Sequence, residues 1–382
     1  MSYDFSSITS RHGTDSQKWQ KYRGRNVLPM WVADMDFQTA PEVVAALHTR
    51  AEDGVFGYSR PADSTIEAVL DYARRDFNWE VHPEWLVWLP GLVPGINLAC
   101  RAVGQRGEAV LTLTPVYPPF LSAPRLAERR LLTVDLVLRD GSWQIDWDLL
   151  EKTVAAETRL FLLCHPHNPV GRVWRRDELE RICGFCQRHD LVLCSDEIHC
   201  DLILDDLPHI PAATLSPEIA ARTITLQSPS KTYNIAGLGC SYAIIPDARL
   251  RNFFKHAGFG VLAEVNNFGY TACEAAYRSG EPWRQALLER LRKNRDIVED
   301  TVRSGDLPGI SMTHIEATYL AWLNVETLGL SDSVAFFEEA GVGLSGGTAF
   351  GDPRYVRLNY GCPESTLREG LTRMSAALAR QR

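Results

Sequence analysis

Short apolar runs alternate along the chain with longer segments in which apolar residues recur at helical spacing. Runs bounded by polar residues in this way are typical of buried strands, and their alternation with helices predicts an α/β fold with a mainly parallel sheet. The predicted strands are residues 86–89, 109–113, 160–164, 191–194, 223–226 and 242–245.

The pattern changes towards the two ends of the chain. Residues 283–302 predict one long helix, and residues 319–325 and 355–359 predict strands of a separate antiparallel sheet. With 382 residues the chain can hold a large domain and a smaller one. We expect an N-terminal arm that belongs partly to the small domain (1–45), a large domain (46–284) and a small α+β domain (285–382).

The composition is that of an ordinary globular protein, with 45% hydrophobic and 23% charged residues. The formal net charge of -8 comes with no basic block, so we expect no nucleic-acid partner. No apolar run approaches the roughly 20 residues that span a bilayer, and residues 1–15 lack the features of a secretory signal. We therefore expect no membrane contact and a cytoplasmic location.

Nine cysteines are scattered along the chain, and this odd number favours reduced thiols over a disulfide framework. Cys183 and Cys186 have the C-x-x-C spacing of some metal sites. Together with Leu179 and Ile182, however, they follow the spacing of one helix face. Because no second Cys or His pair completes a zinc site, we interpret both thiols as part of a buried helical stripe.

Polar residues follow most of the predicted strands, where ligands of open α/β sheets bind. Lys231 follows the run 223–226, and a partly desolvated amine there could attack an aldehyde and later act as a base. We expect Lys231 on a surface loop that faces the ligand. A lysine in a polar loop is more often simply solvated, so Lys231 alone decides little.

Two further strand ends offer groups that suit a ring-shaped ligand. Asp196 could pair with a protonated ring nitrogen, or it could cap a helix. A metal site at Asp196, Glu197 and His199 is disfavoured, because alternate side chains of a strand face different ways. Asn168 is held extended by Pro169 and offers an amide donor, although a plain turn would use the same residues.

A phosphate cradle and an aromatic ring complete the set. Residues 90–95 join a strand to a helix that starts near Val93, and free backbone N–H groups there could bind a phosphate, with Gly91 allowing close approach. Tyr117, which lies between prolines, could stack on a planar ring or simply pack against its loop. An amine, a ring-nitrogen partner, an amide donor, a phosphate cradle and an aromatic ring are unlikely to occur together by chance.

Five strings of residues carry a resemblance to a known family. They are PMWVADMDF (29–37), FGYSR (56–60), PHNPVGR (166–172), SDEIH (195–199) and SPSKTYN (228–234). The chain resembles the pyridoxal 5'-phosphate (PLP) enzymes of fold type I, the aspartate aminotransferase superfamily, and within it the cystathionine β-lyase-like carbon–sulfur lyases of the MalY/PatB type. This resemblance implies a large domain with a mainly parallel seven-stranded sheet, and β-elimination of cystathionine or an S-substituted cysteine to thiol, pyruvate and ammonia.

The resemblance also implies roles for individual residues on the cofactor. Lys231 would carry PLP as a Schiff base and act as the catalytic base, Asp196 would pair with the ring nitrogen, and Asn168 would contact the 3-hydroxyl group. Tyr117 would stack on the ring and count among the catalytic residues, and His199 would lie near the hydroxyl group.

The phosphate would be held by three groups of residues on two subunits. They are the amides of Val93 and the neighbours of Pro94, the side chains of Ser228 and Ser230, and Tyr58 of a second subunit. A homodimer with shared active sites follows from the last of these assignments.

Substrate binding is assigned by the same resemblance. Arg357 would clamp the α-carboxylate of a small amino-acid substrate, although a surface ion pair is an alternative for an arginine on a strand. Trp31 and Asp34 would line the entrance. Residues 164–166, 239–240 and 345–350 depart from the family pattern, which leaves the preferred leaving group open.

Two other functions stay open from the sequence alone. An aminotransferase would share the first steps of the reaction, and a binding or regulatory protein could keep the fold without the chemistry. The presence of Lys231 favours an enzyme.

Overall fold

The computed structural model describes residues 3–381, and a seven-stranded sheet lies at the centre of the fold. Its order is β2-β10-β9-β8-β7-β3-β4, with β10 antiparallel to both neighbours and the other pairs parallel. The strands are β1 (Leu28–Pro29), β2 (Leu86–Leu89), β3 (Ala109–Thr114), β4 (Arg130–Asp135), β5 (Val137–Arg139), β6 (Ser142–Gln144), β7 (Thr158–Cys164), β8 (Val192–Asp196), β9 (Thr223–Gln227), β10 (Ser241–Ile244), β11 (Leu320–Asn324), β12 (Val342–Gly343), β13 (Ser345–Gly346) and β14 (Tyr355–Asn359).

All six predicted runs are strands of this sheet, and their ends lie within two residues of the expected positions. The predicted fold class is therefore confirmed. The seventh strand, β4, was not among the predicted runs. It lies at the edge of the sheet, and most of its side chains are exposed or half-buried, so it lacks a continuous apolar run.

Helices cover both faces of the large sheet. Along β7, Leu160 and Leu162 enter the core on one face, and Phe161 and Leu163 enter the core on the other. Because both faces are buried, β7 is apolar at every position from Leu160 to Cys164 instead of alternating with polar residues. This is why short apolar runs identified the sheet.

The predicted helices are also present. The long helix extends over Glu281–Arg303, and the helix with the C-x-x-C pair buries Cys183 and Cys186, as the spacing predicts. The helices are α1 (Gln17–Gln20), α2 (Pro41–Glu52), α3 (Asp63–Phe77), α4 (Leu92–Ala102), α5 (Pro119–Leu126), α6 (Trp147–Thr153), α7 (Arg176–Arg188), α8 (Pro217–Ala220), α9 (Ala248–Gly258), α10 (Asn267–Ser279), α11 (Glu281–Arg303), α12 (Ser333–Glu339) and α13 (Glu364–Gln381). No helix within residues 3–381 has the length and apolar character needed to cross a membrane.

A second, three-stranded sheet has the antiparallel order β11-β14-β13. Strand β1, close to the N-terminus, pairs in parallel with β12. These contacts bring the N-terminal segment beside the C-terminal part of the chain. The domain boundaries themselves stay a prediction.

Candidate active site

A cavity lies at the edge of the large sheet where the parallel strands end. The loops that follow β2, β3, β7, β8 and β9 line it, together with the start of β10. The lining residues include Ala33, Pro90, Gly91, Leu92, Val93, Pro94, Tyr117, Cys164, Asn168, Asp196, His199, Ser230, Lys231, Gly239, Cys240 and Ser241. Most of the predicted cofactor residues therefore meet at one place.

The Lys231 amine lies in this cavity, where it donates a hydrogen bond of 2.5 Å to the carbonyl oxygen of Ala33. Burial, and secondly the positive charge of Arg357, lower the pKa of Lys231 to about 8. A larger neutral fraction makes the amine a better nucleophile and base near neutral pH. The prediction that Lys231 lies on a surface loop is wrong. The side chain of Asn234 forms hydrogen bonds with the backbone of Met35, so the N-terminal segment covers the loop.

Asp196 ends β8, and its Oδ1 accepts a hydrogen bond from the backbone N–H of Ile198. Burial raises the pKa of Asp196 to about 7, although the bond from Ile198 and the charge of Lys231 oppose the rise. A protonated ring nitrogen beside this carboxylate would offset the cost of burying it. A turn, not a helix, follows β8, so Asp196 does not act as a helix cap.

Asn168 lines the cavity, and Arg357 contacts it from outside the lining. The Nη1 group of Arg357 donates to Oδ1 of Asn168 at 3.1 Å, so the amide group of Asn168 keeps its N–H donors for a ligand. The carbonyl of Asn168 accepts the backbone N–H of Tyr117. Tyr117 is partly buried and lines the cavity beside Asn168, at a position from which its ring can contact a planar ligand.

His199 also lines the cavity, and its Nδ1 atom is buried without a hydrogen-bond partner in residues 3–381. Burial, followed by the charges of Lys231 and Arg357, lowers the pKa of His199 to about 3, so the ring is neutral. Buried polar atoms of native proteins are nearly always paired. A polar ligand in the cavity would supply the missing partner.

The start of α4, where the phosphate is predicted to bind, lines the cavity. The first N–H groups of a helix have no partner within it, and the helix dipole favours an anion there. Val93 and Pro94 lie in this first turn, and Gly91 precedes it, where an added Cβ would meet only Pro94 at 3.6 Å. Proline has no N–H, so the amides of its neighbours are the donors.

The two predicted serines differ in position. Ser230 lines the cavity. Ser228 does not, because its hydroxyl donates to the carbonyl of Cys240 at 2.8 Å and accepts the backbone N–H of Ser230. Ser241 lines the cavity as well, and the sequence did not single it out because it begins an apolar strand.

Five predicted residues lie outside the cavity lining, namely Ser228, Arg357, Tyr58, Asp34 and Trp31. Tyr58 is fully exposed in a loop away from the cavity of its own chain. The carboxylate of Asp34 pairs with Arg11 and Lys18 instead of facing the cavity. Trp31 bonds through Nε1 to the backbone of Lys18, and it reaches the site only through its carbonyl oxygen.

The cavity thus presents a buried amine, a buried carboxylate, amide donors, an unpaired histidine and a helix start, and these groups fit each part of PLP. Fold and site together define a PLP-dependent enzyme of fold type I. The chain belongs to the family of class I and II aminotransferases, whose model matches residues 25–374.

Individual relatives agree with this assignment over the whole chain. Cystathionine beta-lyase PatB from Bacillus subtilis is 38% identical over 387 residues, which cover 98% of this chain and 100% of the relative. A crystal structure of OvoB is 46% identical with a TM-score of 0.96 and covers 98% of each chain. Cystalysin from Treponema denticola, which contains a PLP cofactor, is 33% identical with a TM-score of 0.96 and covers 100% of each chain. The predicted family and cofactor are confirmed.

Proposed function

We propose that the protein is a PLP-dependent carbon–sulfur β-lyase that converts cystathionine or another S-substituted cysteine to a thiol, pyruvate and ammonia. The observation that carries the proposal is the full-length similarity to a cystathionine β-lyase, together with a cavity lined by Lys231 and by Asn168, which accepts a hydrogen bond from Arg357. In this proposal Arg357 binds the α-carboxylate of a small amino acid, and Lys231 acts on its Cα proton.

Bound PLP supplies an electron sink for the electrons released at Cα of the substrate. Arg357 and Asn168 then bind and orient the α-carboxylate, which places Cα close to Lys231. With the substrate amine held by the cofactor, the freed Lys231 amine would take the Cα proton as a general base. The electrons of the broken Cα–H bond would form a Cα–Cβ double bond as the Cβ–S bond breaks. The thiolate would take up a proton, and water would hydrolyse the released 2-aminoacrylate to pyruvate and ammonia. Asp196 would pair with the ring nitrogen of bound PLP.

The test is turnover in the absence of a keto acid. Elimination returns the cofactor to Lys231, so thiol and pyruvate should form in equal amounts and in many-fold excess over the enzyme. Transamination would leave the amino group on the cofactor and stop after one turnover. A single stoichiometric burst that resumes only on addition of a keto acid would establish an aminotransferase instead, and Lys231→Ala serves as the blank.

The active unit that we propose is a homodimer with shared active sites. Support comes from the loop at residues 55–58, where Val55, Phe56 and Tyr58 are exposed although they are large and apolar or aromatic. In the dimer Tyr58 would reach the phosphate of the partner subunit. Sedimentation of the purified protein tests the assembly, and a fully active monomer would contradict it.

The cytoplasm is the location that we propose. All nine cysteines are buried free thiols, which suits a reducing compartment. Fractionation of cells that express the protein, with activity assayed in each fraction, tests this location.

A further inference from the structure

The N-terminal segment 31–34 contacts the site through its backbone carbonyl oxygens. The Ala33 carbonyl accepts hydrogen bonds from Lys231 and from the hydroxyl group of Tyr319, and the Trp31 carbonyl accepts the Nη2 group of Arg357 at 3.0 Å. Asn359 donates to the carbonyls on both sides of Ala33. The position of this backbone therefore determines where two cationic side chains of the site point.

Arg357 depends on this backbone for its orientation. The side chain is 4% exposed, and within residues 3–381 its guanidinium pairs with no carboxylate. Two neutral acceptors hold it instead, Oδ1 of Asn168 on Nη1 and the Trp31 carbonyl on Nη2. Its Nε atom has no partner. A shift of the Trp31 carbonyl would rotate the plane of the guanidinium. The N–H groups that remain free to bind a carboxylate would then point in a different direction.

An ion-pair cluster in which Lys18 and Asp36 are buried and Arg11 and Asp34 are partly exposed contacts the segment on its other side. Lys18 is only 1% exposed, and its amine lies 2.8 Å from Oδ2 of Asp36 and 3.1 Å from the carbonyl oxygen of Asp34. Arg11 contacts the carboxylates of both aspartates at 3.0 Å, and Trp19 donates to Asp36 at 3.0 Å. Because a buried charge is costly without its partners, this cluster holds a single geometry.

We propose that Lys18 is a positioning residue, which acts through Asp34 and Asp36 to hold the Trp31 carbonyl and thereby orients Arg357 for the substrate carboxylate. The inference rests on the role of Arg357 in the proposed function. The proposal also gives Asp34 an indirect role in place of the predicted contact with the substrate, because the Asp34 carboxylate pairs with Lys18 and Arg11.

The experiment compares two ligands on the PLP-loaded protein by absorbance titration. L-alanine has a carboxylate but no leaving group at Cβ, and ethylamine is its counterpart without the carboxylate. In Lys18→Met the affinity for L-alanine should fall about tenfold, the size of one lost charge-assisted hydrogen bond, whereas ethylamine should change less than about twofold. Lys152→Met, a change at an exposed lysine of α6, should affect neither ligand.

The same titration in an Arg357→Lys background forms a double-mutant cycle. If Lys18 acts through Arg357, Lys18→Met should change the affinity for L-alanine by less than about twofold in that background. An equal loss in both backgrounds, or an equal loss for both ligands, would overturn the proposal. Arg357→Lys with unchanged affinity would instead overturn the carboxylate role of Arg357, and the positioning role with it.

A milder variant covers the case in which Lys18→Met does not fold, which thermal melting of the PLP-free protein reveals. Trp19→Phe removes only the hydrogen bond to Asp36 and keeps an aromatic ring in place. It should weaken the binding of L-alanine about two- to fivefold, as expected for the loss of one modest hydrogen bond, and it should leave the binding of ethylamine unchanged. Equal affinities of this variant and the unaltered protein for L-alanine would also overturn the proposal.

Discussion

The predicted cofactor side and the predicted substrate side of the site are built in different ways. On the cofactor side, Tyr117, Asn168, Asp196 and Lys231 each lie at or just after the end of a different strand of one sheet. On the substrate side, Arg357 on β14 of the small sheet meets a backbone carbonyl 326 residues earlier in the chain. One side depends on sheet topology, and the other on hydrogen bonds between distant segments.

This difference affects how each side responds to substitution. Parallel strands carry their carboxyl ends to the same edge, so each residue of the cofactor side is placed by its own strand. The substrate side has no common scaffold, and its arginine takes its orientation from partners on two other segments. We therefore expect a substitution on the cofactor side to affect only the contact that it removes. A substitution on the substrate side should also change the orientation of neighbouring side chains.

The largest effect is expected for Lys231→Ala on the cofactor side. Turnover should fall on the order of 10³-fold or more, because a general base alone contributes about 10²–10⁴-fold. The fold should persist, and PLP should remain bound without a covalent bond, as mass spectrometry after borohydride reduction would show. Labelling of a different lysine in the unaltered protein would contradict the central assignment.

Arg357→Lys should give the next largest effect, and it should weaken the binding of the substrate but not the binding of PLP. An ammonium group cannot form two parallel bonds to a carboxylate, so amino-acid binding should weaken by about 1.5–3 kcal/mol, or roughly 10- to 100-fold. The affinity for PLP should stay within about twofold by absorbance titration, since the lost bond goes to the substrate. Arg354→Lys is the matched control, because that arginine is exposed and pairs with Asp352 close to it in the chain. An unchanged Michaelis constant and rate in Arg357→Lys would place the carboxylate clamp elsewhere.

The pH at which PLP-free protein captures added PLP tests the burial of the Lys231 amine. Only the neutral amine attacks the aldehyde, so the rate should rise about tenfold per pH unit below the pKa and level off above it. With the pKa lowered to about 8 from its ordinary 10.5, the plateau should begin near pH 8. A rate that still rises steeply at about pH 9 and above would mean that the amine is solvated.

Tyr58→Phe should have the smallest effect, because it removes one hydrogen bond to the phosphate. PLP retention should weaken about fivefold, as expected for a net hydrogen bond of about 1 kcal/mol. This is the single predicted cofactor contact from another subunit, so mixing Tyr58→Phe with Lys231→Ala should yield heterodimers with one intact site. Activity that never exceeds the sum of the separate variants would argue against shared sites.

The strand ends show how far the sequence could predict the cofactor side. Asp196 and Asn168 follow buried strands whose apolar runs are visible in the sequence, and the sheet brings both to one edge. The edge strand β4 was not predicted, because one exposed side interrupts its apolar pattern. The side chain of Ser228 also departs from its predicted position, because a hydroxyl can bond to a nearby carbonyl as readily as to a ligand.

The sequence by itself determined the sheet and the strand ends at which Lys231, Asp196 and Asn168 are predicted to bind the cofactor, because apolar runs and residue types are local properties. Tertiary structure alone decided that Ala33 and Trp31 act through their carbonyl oxygens and that Asp34 pairs with Arg11 and Lys18. Every residue carries a carbonyl group, so residue identity does not reveal which one is used. That choice depends on which distant segment packs against it.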